Sequence, residues 1–183
     1  MQIIPTDLSD VIEIVPDVYS DSRGYFLETY QSLRYQVNGI KLSFVQDNLS
    51  YSVKNTLRGL HLQHPNDQGK LIQVIKGEIY DVAVDVRKNS STFGQWVGIV
   101  LSDTNIKQLF IPEGFAHGFY VISEEAYVLY KCTAYYSSEC ELGILWSDPS
   151  IGIDWPTMTP LLSPKDTLNL PLNEIIPSQL PSI

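Results

Sequence analysis

A chain of 183 residues, 44% hydrophobic and 18% charged, has the size and balance of a folded domain with a buried core. Its net charge of −9 argues against a nucleic-acid partner, whose phosphates are repelled everywhere outside a local basic pocket. Two cysteines, Cys132 and Cys140, and no apolar run near the roughly 20 residues of a membrane span predict a cytoplasmic protein with reduced thiols and no membrane partner.

In chain order, short runs rich in Val, Ile, Leu, Tyr and Phe, bounded by Gly, Pro, Asn, Asp or Ser, read as strands. They are Val11–Val15, Leu42–Val45, Leu57–Gln63, Leu71–Ile75, Ile79–Val86, Trp96–Leu101, Gln108–Ile111, His117–Val121 and Tyr127–Thr133. Helical character is confined to Ser32–Val37 and the region after Ser163. The tail, with Pro171, Pro177 and Pro181, is incompatible with regular sheet and is expected to pack across the body or a partner subunit. Regularly spaced strands without intervening helices predict an antiparallel sandwich or barrel rather than a βαβ fold. One domain is expected over 1–183, with its core at about 40–135 and segment 143–183 packed over it. No dinucleotide-binding G-x-G-x-x-G or P-loop motif occurs.

The stretch Leu57–Lys70, LRGLHLQHPNDQGK, sets Arg58, His61 and Lys70 around a strand and a Pro/Asn/Gly turn. A guanidinium, an imidazole and an ammonium in proximity suit an anionic substrate with an ionisable C–H bond. One cation clamps the anion, the imidazole takes the proton, and the other cation stabilises the oxyanion that develops. A basic surface strand with an incidental histidine is the competing reading. Strand alternation puts Gly59, His61 and Gln63 on one face and Arg58 on the other, so Arg58 reaches a common pocket only from a strand end or a bulge. Asp81 and Asp85 share a face, and burial there would require partners; one of them is expected to orient His117 or the base.

The run Ile111–Phe119, IPEGFAHGF, resembles the second signature segment of the cupin superfamily of double-stranded β-helix proteins. Metal-binding cupins place two histidines two residues apart in their first segment, aiming both imidazoles at one metal. Here that run is His61-Leu62-Gln63, and an amide is a poor transition-metal ligand. No metal is expected.

Ordered segments from DSRGYFLETY (21–30) through FVQDNLS (44–50), LRGLHLQ (57–63), residues 68–98, IPEGFAHGF (111–119), YKCTAYY (130–136) and GILWSDPSIGIDWP (143–156) to LSPKD (162–166) resemble the dTDP-4-dehydrorhamnose 3,5-epimerase family. The resemblance implies an all-β, cupin-type jelly roll with an N-terminal strand extension and a short helical or irregular C-terminal tail. It implies a cofactor-independent isomerase that acts on a dTDP-sugar in dTDP-L-rhamnose and surface-polysaccharide synthesis. His61 then corresponds to the base, Asp166 to its carboxylate partner, Tyr130 to the acid on the opposite face, and Lys70 to the cation near O4. Arg23, Glu28, Gln46, Asp47, Asn48, Arg58, His117, Glu141 and Lys165 correspond to substrate-binding positions. Tyr136 and Phe119 read equally as stacking walls or core aromatics. Ala134 and Leu142 depart from residues frequent in the family, which puts details of nucleotide contact in question. A homodimer with shared active sites is also implied, the N-terminal strand carrying Arg23 to a neighbouring subunit. Epimerisation at C3 alone, or sugar binding without chemistry, are the alternatives.

Overall fold

The computed structural model describes residues 1–182. The strands are β1 (Gln2–Pro5), β2 (Ile12–Val15), β3 (Val18–Asp21), β4 (Gly24–Leu27), β5 (Gln46–Val53), β6 (Leu57–Gln63), β7 (Lys70–Lys76), β8 (Glu78–Asp85), β9 (Trp96–Ser102), β10 (Gln108–Ile111), β11 (Phe115–Val121), β12 (Glu125–Cys132) and β13 (Glu141–Gly143). A single α-helix among the described residues, α1 (Ser32–Val37), lies between β4 and β5. Two antiparallel sheets face each other as a jelly roll, one ordered β1-β2-β10-β7-β12-β5 and the other β13-β6-β11-β8-β9, while β3 and β4 form a separate hairpin.

Strand alternation distributes side chains over three apolar layers. Ile79 and Ala83 of β8 and Phe115, Phe119 and Val121 of β11 point between the sheets. Val82, Val84 and Tyr120 point outward, where Ile151, Trp155, Leu172, Ile175 and Leu180 of the C-terminal segment cover them. Strands covered on both faces carry near-continuous apolar runs, and each fully buried Val, Leu, Ile or Phe contributes about 1.5–3 kcal/mol. The outer face of the six-stranded sheet is partly covered by α1, through Tyr35 against Ile14, Leu71 and Phe110. Tyr35 also donates to Gln108 Oε1 at 2.6 Å. At one end of β8 the buried Asp85 carboxylate accepts from Arg87 Nε at 2.9 Å, Ser90 Oγ at 2.6 Å and Thr92 Oγ1 at 2.6 Å.

One expectation about the elements needs correction. Leu42–Val45 is not a strand: Leu42 and Phe44 pack against the α1 cluster, only the Val45 N–H reaches the sheet, at Cys132 O, and the ladder begins at Gln46. The helical character expected after Ser163 takes the form of short 3-10 turns, beginning with Asp166–Leu168, in a segment punctuated by prolines. The expected N-terminal strand around Arg23 is a hairpin, β3–β4, in which every residue except Leu27 is exposed, so its pattern lacks a buried face.

Candidate active site

A cavity of about 720 Å³ opens between the sheets at the β5–β6 end. Its first wall is β6, where alternation fails. Arg58 pairs with Phe119 and His61 with His117, so Gly59 and Leu60 together oppose Gly118 alone. This bulge turns Arg58 onto the same interior face as His61, and Leu57, Leu60 and Leu62 go to the outer core. Gly59 is the residue that permits it. Its φ is +118°, and a Cβ there would meet Gly118 Cα at 2.6 Å and His117 O at 2.7 Å.

His61 Nε2 lies 2.6 Å from Asp166 Oδ1, a contact spanning 105 residues of sequence. Asp166 is buried in the 3-10 turn, whose own backbone N–H reaches Ser163 Oγ at 3.1 Å. Burial pushes its carboxyl up, but His61, the Ser163 hydroxyl and the Gly59 N–H outweigh that and hold it below the ordinary carboxylate range. The segment is pinned alongside β6 by Leu57 N–H donating to Leu161 O at 3.0 Å.

His117 is the register partner of His61 on β11, and its Nε2 sits 3.0 Å from both oxygens of Asp81. Of the two aspartates on β8, Asp81 is therefore the one that orients His117. Burial raises the Asp81 carboxyl, although His117 and Lys70 oppose the shift. Lys70 is buried at the start of β7, and burial lowers its ammonium, with Cys132 and Asp81 pulling the other way. Tyr130, half-buried on β12, lines the opposite wall; burial raises its phenol and nearby Arg58 counteracts.

The inner face of β5 carries Gln46 and Asn48 into the cavity. Asp47 points the other way, as alternation requires, with both carboxylate oxygens 3.0 Å from Lys131 Nζ; its side chain therefore does not line the site. At the mouth, Glu141 Oε2 accepts from Tyr136 OH at 2.7 Å and pairs with Lys165 Nζ at 2.6 Å. Burial raises the Glu141 carboxyl, but Lys165 and Tyr136 more than compensate and lower it. Leu142 faces the outer core beneath the C-terminal segment, so this departure from the family pattern concerns packing rather than ligand contact. Gln63 spends its amide on backbone, donating to Asn66 O at 2.6 Å and Tyr135 O at 3.1 Å and accepting from Ser137 N–H at 2.7 Å. Phe119 and Tyr136 both line the cavity.

Arg23 and Glu28 are not brought to this cavity. Arg23 is exposed at the hairpin tip and bonds Asp21 at 2.6 Å, and Glu28 pairs with Arg34 at 2.9 Å. Conversely, Ser50, Ser52 and Gln68 line the cavity but were not read from the sequence. The signal for the serines was available: continuing the period-2 series from Gln46 and Asn48 reaches both.

The family model for dTDP-4-dehydrorhamnose 3,5-epimerase matches residues 5–174. The dTDP-4-dehydrorhamnose 3,5-epimerase of Methanothermobacter thermautotrophicus is 54% identical over 174 residues, covering 93% of this chain and 94% of that protein. The Escherichia coli protein of the same name is 49% identical over 179 residues, 96% of this chain and 97% of its own length. Among solved structures, Legionella pneumophila dTDP-6-deoxy-D-glucose-3,5-epimerase in complex with dTDP-4-keto-L-rhamnose superposes with a TM-score of 0.97 at 50% identity. That match covers 100% of this chain and 98% of the other.

Proposed function

The chain belongs to the dTDP-4-dehydrorhamnose 3,5-epimerase family, and from that membership we propose that its cavity inverts C3 and C5 of dTDP-4-dehydro-6-deoxy-D-glucose to give dTDP-4-dehydro-L-rhamnose. The single observation that carries the assignment of roles is the disposition of His61 and Tyr130. One stands on β6 and the other on β12, in facing sheets across one cavity. A sugar ring held between them meets a proton acceptor on one face and a proton donor on the other, which inversion at a carbon centre requires.

Both C3–H and C5–H lie alpha to the C4 ketone, so removing either proton leaves an enolate with its charge on O4. His61 takes the proton. Asp166, held ionised, fixes the imidazole tautomer and stabilises the imidazolium that forms. Lys70 faces O4. An ammonium destabilised by burial gains most from an anion beside it, so its interaction strengthens as the enolate develops. Tyr130 returns a proton from the opposite face, and repetition at the second carbon completes the reaction. Substrate and product have the same oxidation state, and the ketone supplies the acidity, so the scheme uses no cofactor or metal.

Arg58 is the anion clamp for the diphosphate, and Gln46, Asn48, the Asp47 backbone, His117, Glu141 and Lys165 hold the sugar and nucleotide. Arg23 and Glu28 would reach the site of a second subunit in a homodimer. Supporting this are the exposed Tyr19, Tyr25 and Phe26 of the hairpin and the exposed Leu49, Tyr51 and Val53 on β5, an edge strand of its sheet. Among the described residues no helix is long and apolar enough to cross a membrane, and the nucleotide-sugar substrate and free cysteines support a cytoplasmic location. Incubation with dTDP-4-dehydro-6-deoxy-D-glucose in D2O, followed by NMR, tests the function. Deuterium with inversion at both C3 and C5 is expected; label at C3 alone would make the protein a 3-epimerase, and no label would leave a binding protein.

A further inference from the structure

The connection between β12 and β13, residues 133–140, carries Tyr136 to the cavity mouth but belongs to neither main sheet, so its backbone polar groups need partners from elsewhere. Three glutamines supply them over four consecutive residues. Gln68 Nε2 donates to Ala134 O at 2.8 Å and Gln63 Nε2 to Tyr135 O at 3.1 Å. Gln46 Oε1 accepts from Tyr136 N–H at 2.9 Å and Gln63 Oε1 from Ser137 N–H at 2.7 Å. Gln63 stands at the centre of this set. It is 4% exposed, and its amide nitrogen also donates to Asn66 O at 2.6 Å, so reversing the amide would break all three of its bonds.

Apolar packing does not hold this loop. Tyr135 and Tyr136 are 72% and 56% exposed, and neither joins one of the three buried clusters. Tyr136 is fixed instead by its glutamine-bound backbone at one end and by its hydroxyl on Glu141 at the other. Glu141 is the register partner of Gln63, and Gln63 follows His61 by two residues on the same face of β6. One strand therefore carries the imidazole and, through a side chain, the placement of the mouth. We propose that Gln63 is a positioning residue: its amide sets the Tyr136 wall against which the nucleotide sugar binds, at the place where metal-binding cupins carry a second metal-facing histidine. The inference rests on reading the cavity as a dTDP-sugar site.

The test is steady-state kinetics of Gln63→Met, Tyr136→Ala and the double variant in the full chain, with dTDP-4-dehydro-6-deoxy-D-glucose as substrate and deuterium incorporation as the readout. Methionine is close to glutamine in length and makes none of the three bonds. Each single variant should raise KM about tenfold, the scale of one hydrogen-bonded contact, and leave kcat nearly unchanged. The double variant should add nothing to Tyr136→Ala, because Gln63 acts through that residue. An unchanged KM, a fall confined to kcat, or KM effects that multiply in the double variant would overturn the assignment of Gln63 and leave the site reading standing. Should Gln63→Met fail to fold, Gln68→Met, which removes a single bond to the same loop, should also raise KM, and an unchanged KM there would overturn the proposal. An unaltered protein that exchanges neither C3 nor C5 would overturn both.

Discussion

His61 and His117 are register partners on neighbouring antiparallel strands, and each imidazole is backed by a different buried carboxylate, Asp166 at 2.6 Å and Asp81 at 3.0 Å. The two carboxylates are tuned in opposite directions. Asp166 is held below its ordinary range by His61, Ser163 and Gly59 against the opposing effect of burial, whereas burial dominates at Asp81 and raises it. An imidazole that must accept a proton needs an anion behind it. That difference favours His61 over its neighbour as the base.

Replacing His61 with Asn or Ala should therefore lower deuterium incorporation at both C3 and C5 by roughly 10²–10⁴-fold. His117→Asn, which leaves the His61–Asp166 pair intact, should retain more exchange than either. NMR of substrate in D2O measures both, and equal loss at the two histidines would remove the distinction drawn here.

On the proposed roles, Tyr130→Phe deletes the proton donor while sparing the acceptor. Exchange with solvent should persist at one carbon or more, and formation of the inverted product should drop well below it. Parallel decline of exchange and inversion would mean that Tyr130 acts through the fold or before enolate formation.

Asp85 gives a pH prediction independent of catalysis. Burial raises its carboxyl, but bonds from Arg87, Ser90 and Thr92 prevail and lower it from 3.8 to about 2. A depressed folded-state value means that the ionised carboxylate contributes stability above pH 3.8, and that this contribution disappears as pH falls from about 4 to about 2. The span corresponds to about 2 kcal/mol. Urea denaturation of the unaltered protein should show a loss of that order across the window, and Asp85→Asn should flatten it.

Mixing inactive His61→Ala with inactive Arg23→Ala subunits should restore activity if Arg23 serves a neighbouring subunit. Heterodimers then hold one site with both lesions and one with neither. Absence of recovery after subunit exchange has been verified by mass spectrometry would assign Arg23 to its own chain.

The sequence carried the strands of the two main sheets most clearly where both faces are buried. Ile79–Val86 is legible because Ile79 and Ala83 enter one core and Val82 and Val84 another. Leu42–Val45 misled because its alternation is real but serves packing on Tyr30 and Ile40, not a ladder. Around Arg23 only a strand was expected, and the hairpin was hidden because its aromatics face outward. Within the site, Arg58 and His61 share a face through two glycines, Gly59 and Gly118, that come together only in three dimensions, although the need for a bulge could be stated beforehand. Ser50 and Ser52 lay within reach of alternation alone, since the inner-face series from Gln46 and Asn48 continues to both.

The proposed base, His61, and the carboxylate it contacts, Asp166, are made far apart in the synthesis of the chain. His61 belongs to a barrel strand, while Asp166 follows every strand of both sheets. During synthesis, residues 57–132 emerge and can begin to pair while the ribosome still holds the segment that completes the His61 pair. A nascent or truncated chain then has the proton acceptor without its anion. On the proposed roles, chemical competence arrives after the scaffold, so deuterium exchange would report that the segment carrying Asp166 has been made and docked.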